Sequence, residues 1–169
     1  NPILNYIKNS NADIVCMQEY AGSETAKIHL SNKEIRQALK DYPYHNIKQV
    51  GKTGAGSQLA CYSKFPILSA RMLDYRSNYN GSMVYEIKIG KDTVLLINNH
   101  LESNKLTRED KVVYEDMLKD PKAGKVKSGV RQLVNKLAEA SAIRSAQART
   151  IAQEIAHSCL LYTSDAADE

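Results

Sequence analysis

The sequence predicts an α/β (α+β) fold in which helices flank a mostly antiparallel sheet. Capped amphipathic stretches occur early, midway and late in the chain. Between them lie runs of apolar and β-branched residues, several separated only by short turn-rich segments. Connections that short join antiparallel neighbours, and helices at both ends of such a set give layered helix and sheet.

Taken in order, Asn1-Pro2 opens the first helix: the Asn side chain can cap, and Pro at the first helical position gives up an N–H that had no partner anyway. Ile3, Leu4 and Ile7 form its apolar face, and Asn9 to Asn11 end it. Ile14-Val15-Cys16-Met17 reads as a short strand buried on both faces, finishing in the polar pair Gln18-Glu19. Ser31-Asn32-Lys33-Glu34 is a capping box, followed by Ile35, Ala38 and Leu39, and this helix ends before Pro43. Five strand-like segments follow: Tyr44 to Val50, Gln58 to Ser63, Ile67 to Tyr75, Met83 to Ile89 and Thr93 to Asn99. Gly51 to Gly56 separates the first two, and Gly90-Lys91-Asp92 the last two. Thr107 to Leu118 is another capped helix, with Asp110 three residues after Thr107. After a loop of Pro, Gly and Lys, Val130 to Ala156 forms a long helix with Leu133, Leu137, Ile143, Ile151 and Ile155 as its inner stripe.

Composition narrows the function classes. The 169 residues are enough for one domain with a core, and 25% charged with 43% hydrophobic residues is ordinary globular composition. No apolar run approaches the roughly 18 residues of a membrane span. A net charge of +4 is compatible with an anionic substrate but lacks the dense Lys/Arg patch of a dedicated nucleic-acid binder. Cys16, Cys61 and Cys159 are widely spaced, which argues against a zinc knuckle or a disulfide framework and for buried free thiols. Gly51-Lys52-Thr53 is not a phosphate loop: position 46, where another Gly is needed, is Asn46, and a strand follows instead of a helix. His29, His45 and His157 lack zinc-ligand spacing. Glu109, Asp110, Glu115 and Asp116 read as the solvated face of a helix. No feature points to an obligate protein partner.

From Cys159 onward the chain resembles the in-frame translation of a transposase adapter, and the helical periodicity before it stops at His157. Residues 159–169 are therefore expected to be an extraneous tail, residues 1–158 the domain portion, and Ser164-Asp165 no part of a catalytic motif. The chain opens at Asn1, and its true start is expected upstream. No leader segment is visible, and the compartment stays open.

Two places can carry chemistry. Glu19 puts a carboxylate directly after a strand, where a sheet edge can hold a hard cation through oxygen; the bland alternative is an exposed turn glutamate. In Leu95-Leu96-Ile97-Asn98-Asn99-His100-Leu101-Glu102, the period of two places Leu96, Asn98 and His100 on one face. A histidine at a strand end can contact a phosphate oxygen or move a proton near neutral pH; otherwise it is a core histidine satisfied by backbone.

Together with Leu59 to Ile67, these stretches resemble the endonuclease/exonuclease/phosphatase (DNase I-like) superfamily. The resemblance lies in a strand followed by Gln18-Glu19, then Ser63-Lys64-Phe65-Pro66-Ile67, Asn98-Asn99-His100-Leu101 and Arg144-Ser145-Ala146-Gln147, in that order. It runs from Asn1 to about Ser158 and is nearest to bacterial members. It implies part of a four-layer α/β/β/α sandwich and metal-dependent hydrolysis of phosphoesters. Glu19 would be the ligand of a catalytic Mg²⁺ or Mn²⁺, and His100 the catalytic histidine bonded to the scissile phosphate. Ser63, Lys64 and Pro66 would be mainly architectural. Arg144 and Gln147 would orient the helix and nearby strand ends, with Asn98 and Arg144 as secondary candidates for substrate contact. The substrate would be a nucleic acid or a small-molecule or lipid phosphate. The alternative is a non-catalytic scaffold on a degenerate copy of the fold. The chain departs from the pattern in lacking any Asp-x-Asn or Asp-His pair, so the isolated fragment is expected to be inactive and prone to aggregate.

Overall fold

The computed structural model describes residues 1–22, 30–50, 58–75, 77, 79–119 and 124–165. They belong to two compact units, Asn1–Leu101 and Glu102–Glu169. The Gly51 to Gly56 separator, the rejected phosphate-loop segment, His29 and residues 120–123 lie outside the described residues.

The first unit begins with α1 (Pro2–Ser10), whose Asn1 side chain accepts from the Ile3 and Leu4 N–H groups at 3.0 and 3.3 Å. It stops where Asn11 turns left-handed at φ 49°, a conformation that Asn tolerates better than most residues. The capping box of α2 (Asn32–Ala38) is reciprocal. Ser31 Oγ accepts from Glu34 N at 3.2 Å, and Ser31 N donates to Glu34 Oε2 at 2.8 Å. The two hydrogen bonds from Ser31 hold the exposed Glu34 carboxyl below the usual carboxylate range.

Among the described residues this unit has six strands: β1 (Ile14–Tyr20), β2 (Tyr44–Gln49), β3 (Gln58–Ser63), β4 (Ile67–Met72), β5 (Gly81–Ile89) and β6 (Asp92–His100). They form two three-stranded antiparallel sheets, ordered β1-β3-β2 and β4-β5-β6. The pairs β2/β3 and β5/β6 are the neighbours the short connections predicted, and Gly90 turns the second hairpin at φ 62°. The chain changes sheets at Ser63-Lys64-Phe65-Pro66. There Ser63 Oγ accepts from Phe65 N at 2.9 Å, Lys64 N donates to Asp13 O, and Lys64 Nζ reaches Asp13 Oδ1 at 3.1 Å. That segment is a corner, as an architectural motif should be.

β3 is buried on both faces. Ala60 and Tyr62 face a core with Ile7, Tyr20, Ile35, Leu39 and Tyr42, so α1 and α2 cover that side. Leu59 and Cys61 face a second core with Val50, Met83, Tyr85 and Ile87, where the sheets meet. The sequence expectation gave this doubly buried place to Ile14–Met17, and the structure corrects it. Among the described residues β1 lies at the edge of its sheet, and Cys16, Gln18 and Glu19 are exposed. An apolar run records side chains suited to burial; only the pairing decides which strand receives neighbours on both sides. Exposure of Cys16 also corrects the expectation of buried thiols, which Cys61 meets.

In the second unit, α3 (Arg108–Lys119) packs against α4 (Gly124–Asp165). A Cβ added at Gly129 would lie 2.7 Å from Val113 Cγ1, so the two helices approach closely there. Thr107 and Asp110 cap each other, and Lys136 Nζ binds Asp110 Oδ2 at 2.6 Å. Asp110 is thus buried instead of lying on a solvated face, because its carboxylate serves the cap and the lysine at once. These contacts, Lys136 first, hold its carboxyl below the usual range.

The buried stripe of α4 contains Leu133, Ala140 and Gln147, seven residues apart, while Ile155 is 47% exposed. The expected stripe counted only large apolar residues and so passed over a small and a polar one. The helix starts at Gly124 instead of Val130 and continues through Asp165, past the expected stop at His157. None of the described helices is long and apolar enough to cross a membrane.

Candidate active site

The first unit brings Glu19 and His100 together: His100 Nε2 lies 3.6 Å from Glu19 Oε1. That is an ion-pair distance, too long for a hydrogen bond. The Glu19 side chain is 75% exposed and that of His100 22%, so the carboxylate is open to solvent and the imidazole is largely enclosed. His100 Nδ1 is buried without a hydrogen-bond partner among the described residues.

A break in register explains how β1 presents Glu19 to β6. Met17 pairs with Ala60 and Tyr20 with Gln58, so β1 spends one residue more than β3 over this interval. This is a β-bulge, and Glu19 occupies it at φ 52°, in the left-handed region. Met17 and Tyr20 consequently both face the helix-side core. Regular alternation would have put Glu19 on the face of Met17. The bulge instead lets two consecutive polar residues, Gln18 and Glu19, both reach β6 residues. Left-handed backbone at a non-glycine residue costs about 1 kcal/mol or more, and such strain concentrates at functional sites.

Asn98 joins the two sheets from beneath. It is 2% exposed. Its Oδ1 accepts from Gln18 Nε2 at 3.3 Å, and its Nδ2 donates to Met17 O at 3.3 Å and Ala60 O at 3.4 Å. These bonds are long, but leaving a buried amide unpaired costs about 1–3 kcal/mol, so burial holds the arrangement in place. The sequence identified Asn98 by its shared face with His100. It did not identify Gln18 as the partner or anticipate the bulge. A signal was present, since Met17 and Tyr20 are apolar three residues apart where a regular strand would place them two or four apart.

Cys16 lies two residues before Gln18 and pairs directly with Cys61 across the ladder. Hydrogen bonding from Cys61 holds the Cys16 thiol below its ordinary range, whereas hydrogen bonding to Cys16 and then burial push the Cys61 thiol up. The buried Tyr85 hydroxyl has no hydrogen-bond partner among the described residues, and burial pushes it up as well. A groove of about 380 Å³ also touches Glu19, walled in part by Leu4, Met17, Tyr20, Leu30 and Ile35. His100 is not among its walls.

Arg144 and Gln147 lie in the second unit. Gln147 Oε1 accepts from Glu102 N at 2.9 Å, and Arg144 Nη1 donates to Glu102 O at 3.2 Å and Asn104 Oδ1 at 2.5 Å. Both side chains hold the backbone of segment 102–104. Glu102 itself is buried and paired with Lys105 Nζ at 2.8 Å.

The described residues contain no group of three His, Cys, Asp or Glu side chains that could hold a metal. Mg²⁺ needs no such cage, because it keeps several waters and binds through one or two carboxylates. The outward carboxylate of Glu19, fixed at a strand end beside His100, fits one such ligand.

The sequence profile of the Endonuclease/Exonuclease/phosphatase family matches residues 1–157. The chain belongs to this family. As a family member it shows antiparallel sheets flanked by helices, the architecture expected of a DNase I-like fold. Among solved structures it is similar to truncated Caenorhabditis elegans TDP2, at 23% identity and a TM-score of 0.43, over 72% of this chain and 50% of that one. It is also similar to the selenomethionine form of Caenorhabditis elegans TDP2, at 23% identity and a TM-score of 0.42, over 72% and 38% of the two chains. The family member thus spans about half the length of the first of these structures. No curated protein matches it.

Proposed function

We propose that this chain carries part of the active site of a divalent-cation-dependent phosphoester hydrolase. Family membership supports the reaction class, and the 3.6 Å approach of Glu19 to His100 from different sheets carries the assignment of residues. Glu19 would hold Mg²⁺ or Mn²⁺ through its outward carboxylate. When bound, the cation polarises a phosphoryl oxygen and offsets charge on the leaving oxygen. His100 donates a hydrogen bond from Nε2 to a non-bridging phosphate oxygen, stabilising charge as it builds during in-line attack by water. Its enclosure lowers the local dielectric and strengthens that bond.

The sequence contains no Asp-x-Asn or Asp-His pair to activate the water. In this reading the chain alone is inactive, and activity belongs to a longer protein that carries those motifs. The test is direct. In such a protein, Glu19→Ala should abolish Mg²⁺-dependent hydrolysis, and His100→Ala should lower kcat by about 10²–10³-fold, the typical effect of losing one oxyanion donor. Near-normal turnover in Glu19→Ala would remove that carboxylate from the site. Assays on DNA, RNA, inositol phosphates and sphingomyelin would assign the substrate as a nucleic acid or as a small-molecule or lipid phosphate.

A further inference from the structure

We infer that Gln18 and Asn98 form a positioning bridge that holds Glu19 beside His100; its link to catalysis rests on the function proposed above. Glu19 is exposed and sits in a bulge on an edge strand. Among the described residues the ladder partner of that strand is β3, and β3 does not carry His100. Something must therefore couple the bulge to β6, and Asn98 is placed to do it. One buried amide binds the Gln18 side chain and the backbone carbonyls of Met17 and Ala60, so it grips β1 on the residues just before Glu19 and grips β3 as well. Asn98 also lies two residues before His100 on the same face of β6. The separation of carboxylate and imidazole is thus set from one amide, two residues away along β6 and one away along β1. Asn98 has both ends of its amide engaged and is buried, which makes it a positioning residue instead of a substrate contact.

The bridge can be tested without turnover, by NMR on the chain itself. A nuclear Overhauser contact between the Glu19 side chain and the His100 ring should be present in the wild type. It should weaken or vanish in Gln18→Met, which keeps the volume but removes the amide, and in Gln18→Met/Asn98→Leu, which replaces both partners with apolar groups so that no buried amide is left unpaired. Amide shifts of β4 and α2, which neither side chain touches, should stay at wild-type positions, reporting an intact fold. A contact of unchanged intensity in both variants, or one absent from the wild type, would overturn the bridge. Mn²⁺ adds a second readout. It should broaden the Tyr20 amide and the His100 ring in the wild type, and in Gln18→Met the His100 broadening should fall several-fold while that of Tyr20 remains. If Mn²⁺ leaves both sharp in the wild type while the Overhauser contact responds as expected, the cation assignment fails and the bridge stands.

Discussion

At the scale of the residue, the candidate site opposes local preference at Glu19. Its left-handed φ of 52° suits glycine, yet the position carries a glutamate with a largely exposed side chain. Glu19→Gly should therefore leave the melting temperature unchanged or raise it, and Glu19→Val, β-branched and poorly suited to positive φ, should lower it. Thermal denaturation of both variants checks this. A large loss of stability in Glu19→Gly would show that the side chain holds the bulge in place. Glu19 and His100 could be singled out as candidates from the sequence because each ends a strand-like run at a residue type with few roles. Their pairing was not legible from the residues themselves, since 81 positions separate them and only the bulge turns both toward each other.

At the scale of the element, β3 and the contact of Val50 with β5 carry the energetics. Leu59 is fully buried between the sheets, and Leu59→Ala should cost about 2–5 kcal/mol, read from denaturant unfolding. At Gly81, paired with His100 at the other end of its ladder rung, a Cβ would fall 2.6 Å from Val50 Cβ. Gly81→Ala should cost about 1–3 kcal/mol by forcing that contact apart. A neutral Gly81→Ala would mean that Val50 moves freely. The hairpins and caps could be read from sequence because turn and cap chemistry is local. The buried strand was misassigned because burial on both faces depends on neighbours contributed by distant parts of the chain. The stripe of α4 was read incompletely for a related reason: Gln147 is buried because its amide oxygen serves the backbone of Glu102, a demand no helical periodicity reveals.

At the scale of the whole molecule, stability should be lost in alkali. Burial pushes the hydroxyls of Tyr62, Tyr75 and Tyr85 above the ordinary tyrosine value. A group raised in the folded state contributes stability that is fully present below its unfolded value, near 10, and is lost as pH rises beyond it. Cys61 acts in the same sense; Cys16, which is lowered, acts in the opposite one. Melting temperatures should hold between pH 8 and about 9.5 and fall steadily above it. A flat profile to pH 11 would show that these hydroxyls reach water. The fold class was readable because it follows from the order of helical and strand-like segments. The sharing of one strand by two cores was not. That sharing has a consequence for cooperativity: Ala60 and Tyr62 belong to one core while Leu59 and Cys61 belong to the other, so neither can loosen without disturbing the same backbone. The first unit should melt in a single step, and the amides of 59–62 should exchange with deuterium only when the whole unit opens.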